Sequence, residues 1–430
     1  MDTTIHDVAV FAITLLVVAY GLWMLVRTLE RGREGFSIGF AVATAVAIRV
    51  IASMAVSLTS IERVLRGGDE LAFLKVSGNI AHTAFGASPW IDSLTGNLYE
   101  FIFATQIGLF DSPTQAMRVA QIGIAVAGLV LLSAAVYELA GPRAALITMW
   151  FLAVEPTNVF FSSILHKEPL MMLAGGLVAY GGALAWAKTS GKSILLITFG
   201  CLIAVATRPY AGWFLIAAGA AIILHSGLRA SEASPVRRLS FVSLVIVVVA
   251  VSAPTVLGAT TNENLAPLQQ SQDSYTSGGD QTDLALEQVD FSTRGAIVVN
   301  LPKRIFDVLT QPYVWQISNL SQQLAVFGSM VALTILFLLI LEAKRDRKGL
   351  VARAGPLLYV ALGLLIAYSL SAGNAGTAFR YRTHIVVVAG AALIAARYGK
   401  ERAEAPAKTP GEVAPATAPP LPARTPLGEA

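Results

Sequence analysis

Two short acidic motifs and two arginine-bearing turns are the residues of this chain whose types and spacing could do chemistry. Gly67-Gly68-Asp69-Glu70 presents two carboxylates on a Gly-Gly turn, and a carboxylate held at the edge of a bilayer can deprotonate a hydroxyl as a general base. The same spacing suits a helix start, with Asp69 as N-cap and Glu70 favouring the dipole. His166-Lys167-Glu168-Pro169 is the second acidic motif, and it too reads as a helix start, with Pro169 at the first helical position. Arg208-Pro209-Tyr210 and the stretch Gly373-Asn374-Ala375-Gly376-Thr377-Ala378-Phe379-Arg380-Tyr381-Arg382 supply guanidinium forks, which match phosphate geometry. If Arg380 and Arg382 converge, a bound anion relieves their like charge, and the glycines around Asn374 let a backbone approach it closely. Lys303 and Arg304, ahead of Gln311-Pro312-Tyr313-Val314-Trp315, can add to that clamp. Snorkelling to lipid headgroups is the competing reading for these basic residues.

Other chemistries lack their parts. Gly191-Lys192-Ser193 resembles the end of a phosphate-binding loop, but Trp186 occupies the required upstream glycine position. His6, His82, His166, His225 and His384 show no paired metal-ligand spacing, and the single cysteine, Cys201, allows no intramolecular disulfide and no cysteine cluster. A divalent cation bridging Asp69 and Glu168 is left open by the two carboxylates.

These residues sit in a frame that is 55% hydrophobic and 13% charged, against roughly a quarter charged in soluble domains. The apolar residues fall in blocks of about 17 to 22, the length that crosses a hydrocarbon core. The chain therefore reads as an all-α polytopic membrane protein. Windows of about 19 residues place spans near 8–26, 36–57, 118–139, 144–162, 168–187, 193–207, 210–228, 239–257, 324–341, 355–371 and 383–397, about eleven transmembrane helices. The net charge of +4 comes from residues that punctuate the blocks instead of forming one patch, which argues against a nucleic-acid partner. Alternate turns collect most Lys and Arg, among them Arg31, Arg33, Lys188, Lys192, Arg229 and Lys344 to Lys348. That bias predicts a multi-pass protein of the plasma (inner) membrane with its N-terminus outside and its C-terminus cytoplasmic.

The organisation expected is an extra N-terminal span with its turn over 1–35, a main transmembrane unit over 36–400, and a disordered Ala/Pro-rich tail over 401–430. Two long outer loops, 58–117 and 258–323, carry interfacial segments. In the first, Leu71, Leu74, Ala81 and Phe85 can share a helical face, followed by a turn over 86–89 and the aromatics Trp90, Tyr99, Phe101 and Phe103. In the second, a polar flap over 269–283 precedes an apolar stretch over 296–315. Arg49 and Glu155 lie inside spans, where an isolated charge costs about 2.5–3.5 kcal/mol, so an Arg49–Glu155 pair facing the bundle interior is expected.

The order of these parts resembles the GT-C superfamily of integral-membrane glycosyltransferases, in the style of bacterial dolichyl-phosphate-mannose protein mannosyltransferase-like proteins. The resemblance runs from about Arg49 to Arg397. It rests on Gly68-Asp69-Glu70 in the first long loop, Gly96-Asn97-Leu98-Tyr99, Gly141-Pro142-Arg143, Glu155-Pro156-Thr157-Asn158, Lys167-Glu168, Arg208-Pro209-Tyr210, Leu301-Pro302-Lys303-Arg304 and Gly376 to Arg382. It implies a catalytic base at Asp69, with Glu70 and Glu168 as further acidic candidates. It also implies a donor phosphate held by Arg380, Arg382, Arg208, Lys303 and Arg304, supported by Arg49, Glu155, Lys167, His166, Asn374 and Tyr381. The implied donor is a polyprenyl-phosphate-linked sugar, and the implied acceptor a glycan, lipid or protein of the cell envelope, met among membrane lipids. The chain departs from the pattern by the extra N-terminal span and by having no folded C-terminal domain outside the membrane. A polysaccharide polymerase, a lipid-linked-sugar flippase and a noncatalytic scaffold are the competing readings. The flippase reading is lowered by the absence of internal repeats.

Overall fold

A computed structural model of the chain describes residues 3–58, 67–84, 98–229, 286–287, 289–290, 293–317 and 320–404. The described residues form thirteen α-helices and one short 3-10 turn, with no β-strand. In chain order the helices are α1 (Thr3–Glu30), α2 (Gly39–Leu58), α3 (Gly67–Ala84), α4 (Leu98–Phe110), α5 (Thr114–Ala140), α6 (Pro142–Val154), α7 (Pro156–Ser163), α8 (Glu168–Ala187), α9 (Gly191–Thr207), α10 (Pro209–Arg229), α11 (Arg294–Thr310), α12 (Leu320–Ser371) and α13 (Ala375–Glu404).

Seven of them are long and apolar enough to cross a membrane, or eight if the bent pair α6 and α7 counts as one span, so the chain is a polytopic membrane protein. The sequence count of about eleven differs for identifiable reasons. The expected span 144–162 is two helices that meet at 59°, because Pro156 cannot donate the next backbone hydrogen bond. The expected span 193–207 is α9, a helix of 17 residues. The expected spans 324–341 and 355–371 run together in α12, which kinks where Asp346 leaves helical geometry and its carboxylate accepts the Gly349 N–H at 2.8 Å. The span 239–257, the turn 86–89 with Trp90, the flap 269–283 and the tail beyond Glu404 lie outside the described residues.

The bundle is built around α5, α8 and α13. In the most apolar stretch of α13, 89% of residues are buried, against 6% in α1, which places the N-terminal span at the periphery. The α5–α8 crossing is backbone to backbone: a Cβ on Gly128 would lie 2.6 Å from the Met172 carbonyl, and one on Gly176 would lie 2.5 Å from the Gly128 oxygen. Small residues at a helix crossing permit this approach inside a bilayer, where packing replaces the hydrophobic drive. Polar latches tie the helix ends. At the basic end, Arg33 donates to Glu138 at 2.8 Å and to the Tyr180 hydroxyl at 2.6 Å, while the Trp186 indole donates to the Ala352 carbonyl at 2.8 Å.

Helices α3, α4 and α11 gather at the opposite end. The buried face of α3 runs through Glu70, Ser77 and Ala81, whereas Leu71 is exposed and Phe85 lies outside the described residues. Expecting Leu71 on that face was an error of phase, since Glu70, not Leu71, takes the position that Arg118 holds. On α11, Val298, Val299 and Phe306 are exposed while Arg304, Val308 and Leu309 are buried, as for an interfacial helix. The following turn, with cis Gln311–Pro312, leads to Trp315, exposed and stacked on Tyr313 at 4.8 Å.

Candidate functional site

The chain between α7 and α8 sets the site. Gln121, near the N-terminal end of α5, accepts the His166 N–H at 2.9 Å and the Tyr99 hydroxyl at 2.7 Å, and its amide donates to the carbonyls of Ile164 and Ser162. A single amide therefore fixes the turn that delivers Glu168 to the first position of α8, with Pro169 second, one position later than the motif predicts.

Glu168 is fully buried, and its Oε1 accepts from Arg208 Nη2 at 2.7 Å. Its Oε2 has no hydrogen bond among the described residues and lies 3.7 Å from His166 Nδ1. Its backbone carbonyl is 3.1 Å from His384 Nε2. Arg208 ends α9 and lays its guanidinium over the Tyr381 ring, 4.6 Å from the centroid. Tyr381 stacks on Tyr368 at 4.4 Å and shares a 2.5 Å hydroxyl contact with Tyr210. Arg208 Nη1 and the Tyr368 hydroxyl are buried without a partner among the described residues. Arg380, half-buried and reaching Thr377 Oγ1 at 3.5 Å, adds its charge to those acting on Glu168 after Arg208 and His166. Two guanidinium groups and two imidazoles thus surround one carboxylate, and the hydrogen-bonding set is incomplete. Buried polar atoms in that state ordinarily hold water or a ligand.

The first acidic motif reaches the same region. Arg118 grips Glu70 in a buried fork, Nε to Oε1 at 2.9 Å and Nη2 to Oε2 at 3.0 Å, and also donates to Ser57. Lys167 pairs with Glu100 at 2.8 Å beneath the Phe73 ring. Tyr99 lies within electrostatic reach of Glu168, Glu70 and Glu100; burial first, and then these charges, push its hydroxyl well above the ordinary tyrosine range, so it stays a donor. Asp69 lies in the first turn of α3 beside Glu70, and its side chain lies outside the described residues.

Several expected site residues sit elsewhere. Arg382 does not converge with Arg380: it is buried and donates to the carbonyls of Val308, Leu309, Gln311 and Ala325 at 3.3, 3.1, 2.9 and 2.8 Å, closing the C-terminal end of α11. Residues two apart on a helix face different ways. Lys303 pairs with Glu287, and Arg304 is buried on α11 near Asp307. Asn374 caps α13 by accepting the Thr377 N–H at 2.7 Å. Arg49 and Glu155 form no direct pair. Arg49 donates to Leu152 and Ala153 carbonyls at 3.1 Å and to Ser162 at 2.8 Å, whereas Glu155 caps α7 through the N–H groups of Thr157 and Asn158. Each charge satisfies one side of the α6–α7 break, the carbonyl ends and the amide ends respectively.

Sequence reasoning missed Gln121, Arg118 and Glu100. A signal was available for the first, since an amide inside an expected span asks for a partner. Among the described residues no three His, Cys, Asp or Glu side chains come together to hold a metal, and the Asp69–Glu168 bridge falls partly outside those residues. No protein-family model, curated protein or solved structure matches the chain.

Proposed function

We propose that the chain is a membrane glycosyltransferase that moves a sugar from a polyprenyl-phosphate-linked donor to a glycan, lipid or protein acceptor on the extracytoplasmic side of the plasma (inner) membrane, within a GT-C-like bundle of about eleven spans. The observation that carries this reading is the buried Arg208–Glu168 pair, in which Arg208 Nη1 has no partner among the described residues and on which the charge of Arg380 also acts. Phosphate is the leaving group in such a transfer, and preorganised cations gain most where its charge develops.

In this mechanism the acceptor hydroxyl loses its proton to Asp69 and its oxygen bonds to the sugar anomeric carbon. The bond from that carbon to the phosphate oxygen breaks, and the electron pair leaves with the phosphate, facing Arg208 and Arg380. Glu168 positions Arg208 through their 2.7 Å contact, and Tyr381 supports the guanidinium face. A polymerase would use the same groups and differ by making long products. The flippase reading gains one observation, the discontinuous span at Glu155–Pro156, although Glu155 and Arg49 already satisfy that break from within.

The test incubates purified wild type, Asp69→Ala and Arg380→Ala with lipid-linked sugars extracted from the source membrane and follows free polyprenyl phosphate or diphosphate by mass spectrometry. Release by wild type with sugar appearing on an acceptor, and its loss in both variants, is the expected result. Retained lipid-linked sugar with no release by any of the three proteins would overturn the transferase reading in favour of transport or scaffolding.

A further inference from the structure

The basic end of the bundle carries a second charged feature, unrelated to the site around Glu168. Beside the kink of α12, Lys344, Arg345, Arg347 and Lys348 fall within five consecutive positions, all four exposed and none with a carboxylate partner among the described residues. The two carboxylates close by in sequence are already engaged: Asp346 with Arg353 at 3.2 Å, and Glu342 with Arg397 at 3.5 Å. Arg353 packs its aliphatic stem against Gly399 of α13, where an added Cβ would lie 3.2 Å from its Cδ. Its Nε and Nη2 are buried atoms without a hydrogen-bond partner among the described residues.

A guanidinium edge buried without an acceptor at the α12 kink, beside four exposed cations, calls for oxygen acceptors that the described residues do not supply. This helix belongs to the spans that fix this end at a membrane surface, where phosphodiester headgroups are the concentrated source of such oxygens. We propose that the α12 kink, through Arg345, Arg347, Lys348 and Arg353, binds the headgroup of an anionic phospholipid. The exposed cations hold the negative charge of the headgroup, and its phosphate oxygens are the acceptors for the Arg353 edge behind them. Positive turns set topology in most membrane proteins; the feature that goes beyond topology here is the buried, unsatisfied guanidinium edge of Arg353.

The experiment uses the full chain in detergent and native mass spectrometry, with phosphatidylglycerol and phosphatidylcholine as probes and inorganic phosphate as a competitor. Four proteins are compared: wild type, Arg353→Gln, Arg345→Gln/Arg347→Gln, and Lys188→Gln/Lys192→Gln, the last of which removes the same charge from the α8–α9 turn at the same end. Wild type and the Lys188/Lys192 variant should retain phosphatidylglycerol over phosphatidylcholine. The Arg345/Arg347 variant should bind it about 25-fold more weakly, roughly fivefold per juxtamembrane charge. Arg353→Gln, tested for folding by its melting transition, should lose the retained lipid as well. Equal weakening in both double variants would overturn the proposal in favour of diffuse surface charge, and no phosphatidylglycerol preference in wild type would overturn it outright. Displacement of the lipid by inorganic phosphate at comparable concentration would show a soluble phosphate ligand and would also overturn it. Sugar transfer is not read, so these outcomes are independent of the transferase assay.

Discussion

Arg208 and Glu168, forty residues apart and at the ends of different helices, meet at 2.7 Å with both side chains buried. The pair joins the α9–α10 turn to the start of α8, and Tyr381 of α13 closes over it. Removing one member leaves an uncompensated charge in a buried site, which costs about 3–5 kcal/mol, whereas replacing both removes the charge altogether. Arg208→Met should therefore lower stability by that amount, and Arg208→Met/Glu168→Met should recover much of the loss. Unfolding in detergent followed by circular dichroism checks both. A double-variant loss equal to the sum of the Arg208→Met and Glu168→Met losses would show that the pair contributes no coupling.

The Glu70–Arg118 fork anchors α3 to α5 and separates two roles that adjacent carboxylates are easily given together. Glu70→Gln should open α3, raising amide exchange over 67–84 on the order of a hundredfold, as expected for loss of a buried pair. Asp69→Asn should leave that exchange within a fewfold of wild type while abolishing sugar release. An Asp69→Asn protein that opens α3 as Glu70→Gln does would assign both residues to anchoring.

Arg49 and Glu155 each serve the backbone at the α6–α7 break and not each other. Exchanging them should fail to rescue either single variant, because a carboxylate at 49 has no N–H groups to accept from and a guanidinium at 155 meets donors. Arg49→Met leaves the Leu152 and Ala153 carbonyls short of donors, at a cost of about 1–3 kcal/mol. Melting temperatures of Arg49→Met, Glu155→Gln and Arg49→Glu/Glu155→Arg check this, and a double exchange restored to near wild type would reinstate a direct pair.

The parts of this arrangement that the sequence made legible are those governed by local rules. Apolar block length located most of the membrane helices, Pro169 after Glu168 marked the start of α8, and Pro209 after Arg208 marked the start of α10. What stayed hidden depends on partners distant in sequence. Nothing near Arg382 announces that it will close the end of α11, whose carbonyls come from 71 to 74 residues earlier. Yet the two-residue spacing from Arg380 already set the two arginines on different helix faces. Arg118 stood at the first residue of an expected span and looked like a flank; only folding brings Glu70 to it, 48 residues away.

Asp307 gives α11 a pH dependence with a definite sign. It lies on a helix that is not among the candidate spans, its Oδ1 accepts from Gln311 at 3.3 Å, and its buried Oδ2 has no partner among the described residues. Burial raises its carboxyl above the ordinary aspartate value, against the opposing Gln311 contact and the nearby Arg304 charge. A folded state that holds the proton more tightly than the unfolded state is favoured at low pH. The stabilisation is complete below the ordinary value, about pH 4, and is lost as pH rises through the raised one. Amide exchange over 304–311, corrected for intrinsic rates, should therefore be slower near pH 4 than near pH 7. Asp307→Asn should remove that difference and protect the segment at neutral pH. A wild-type segment better protected at neutral pH would mean that Arg304 outweighs burial and would reverse the sign.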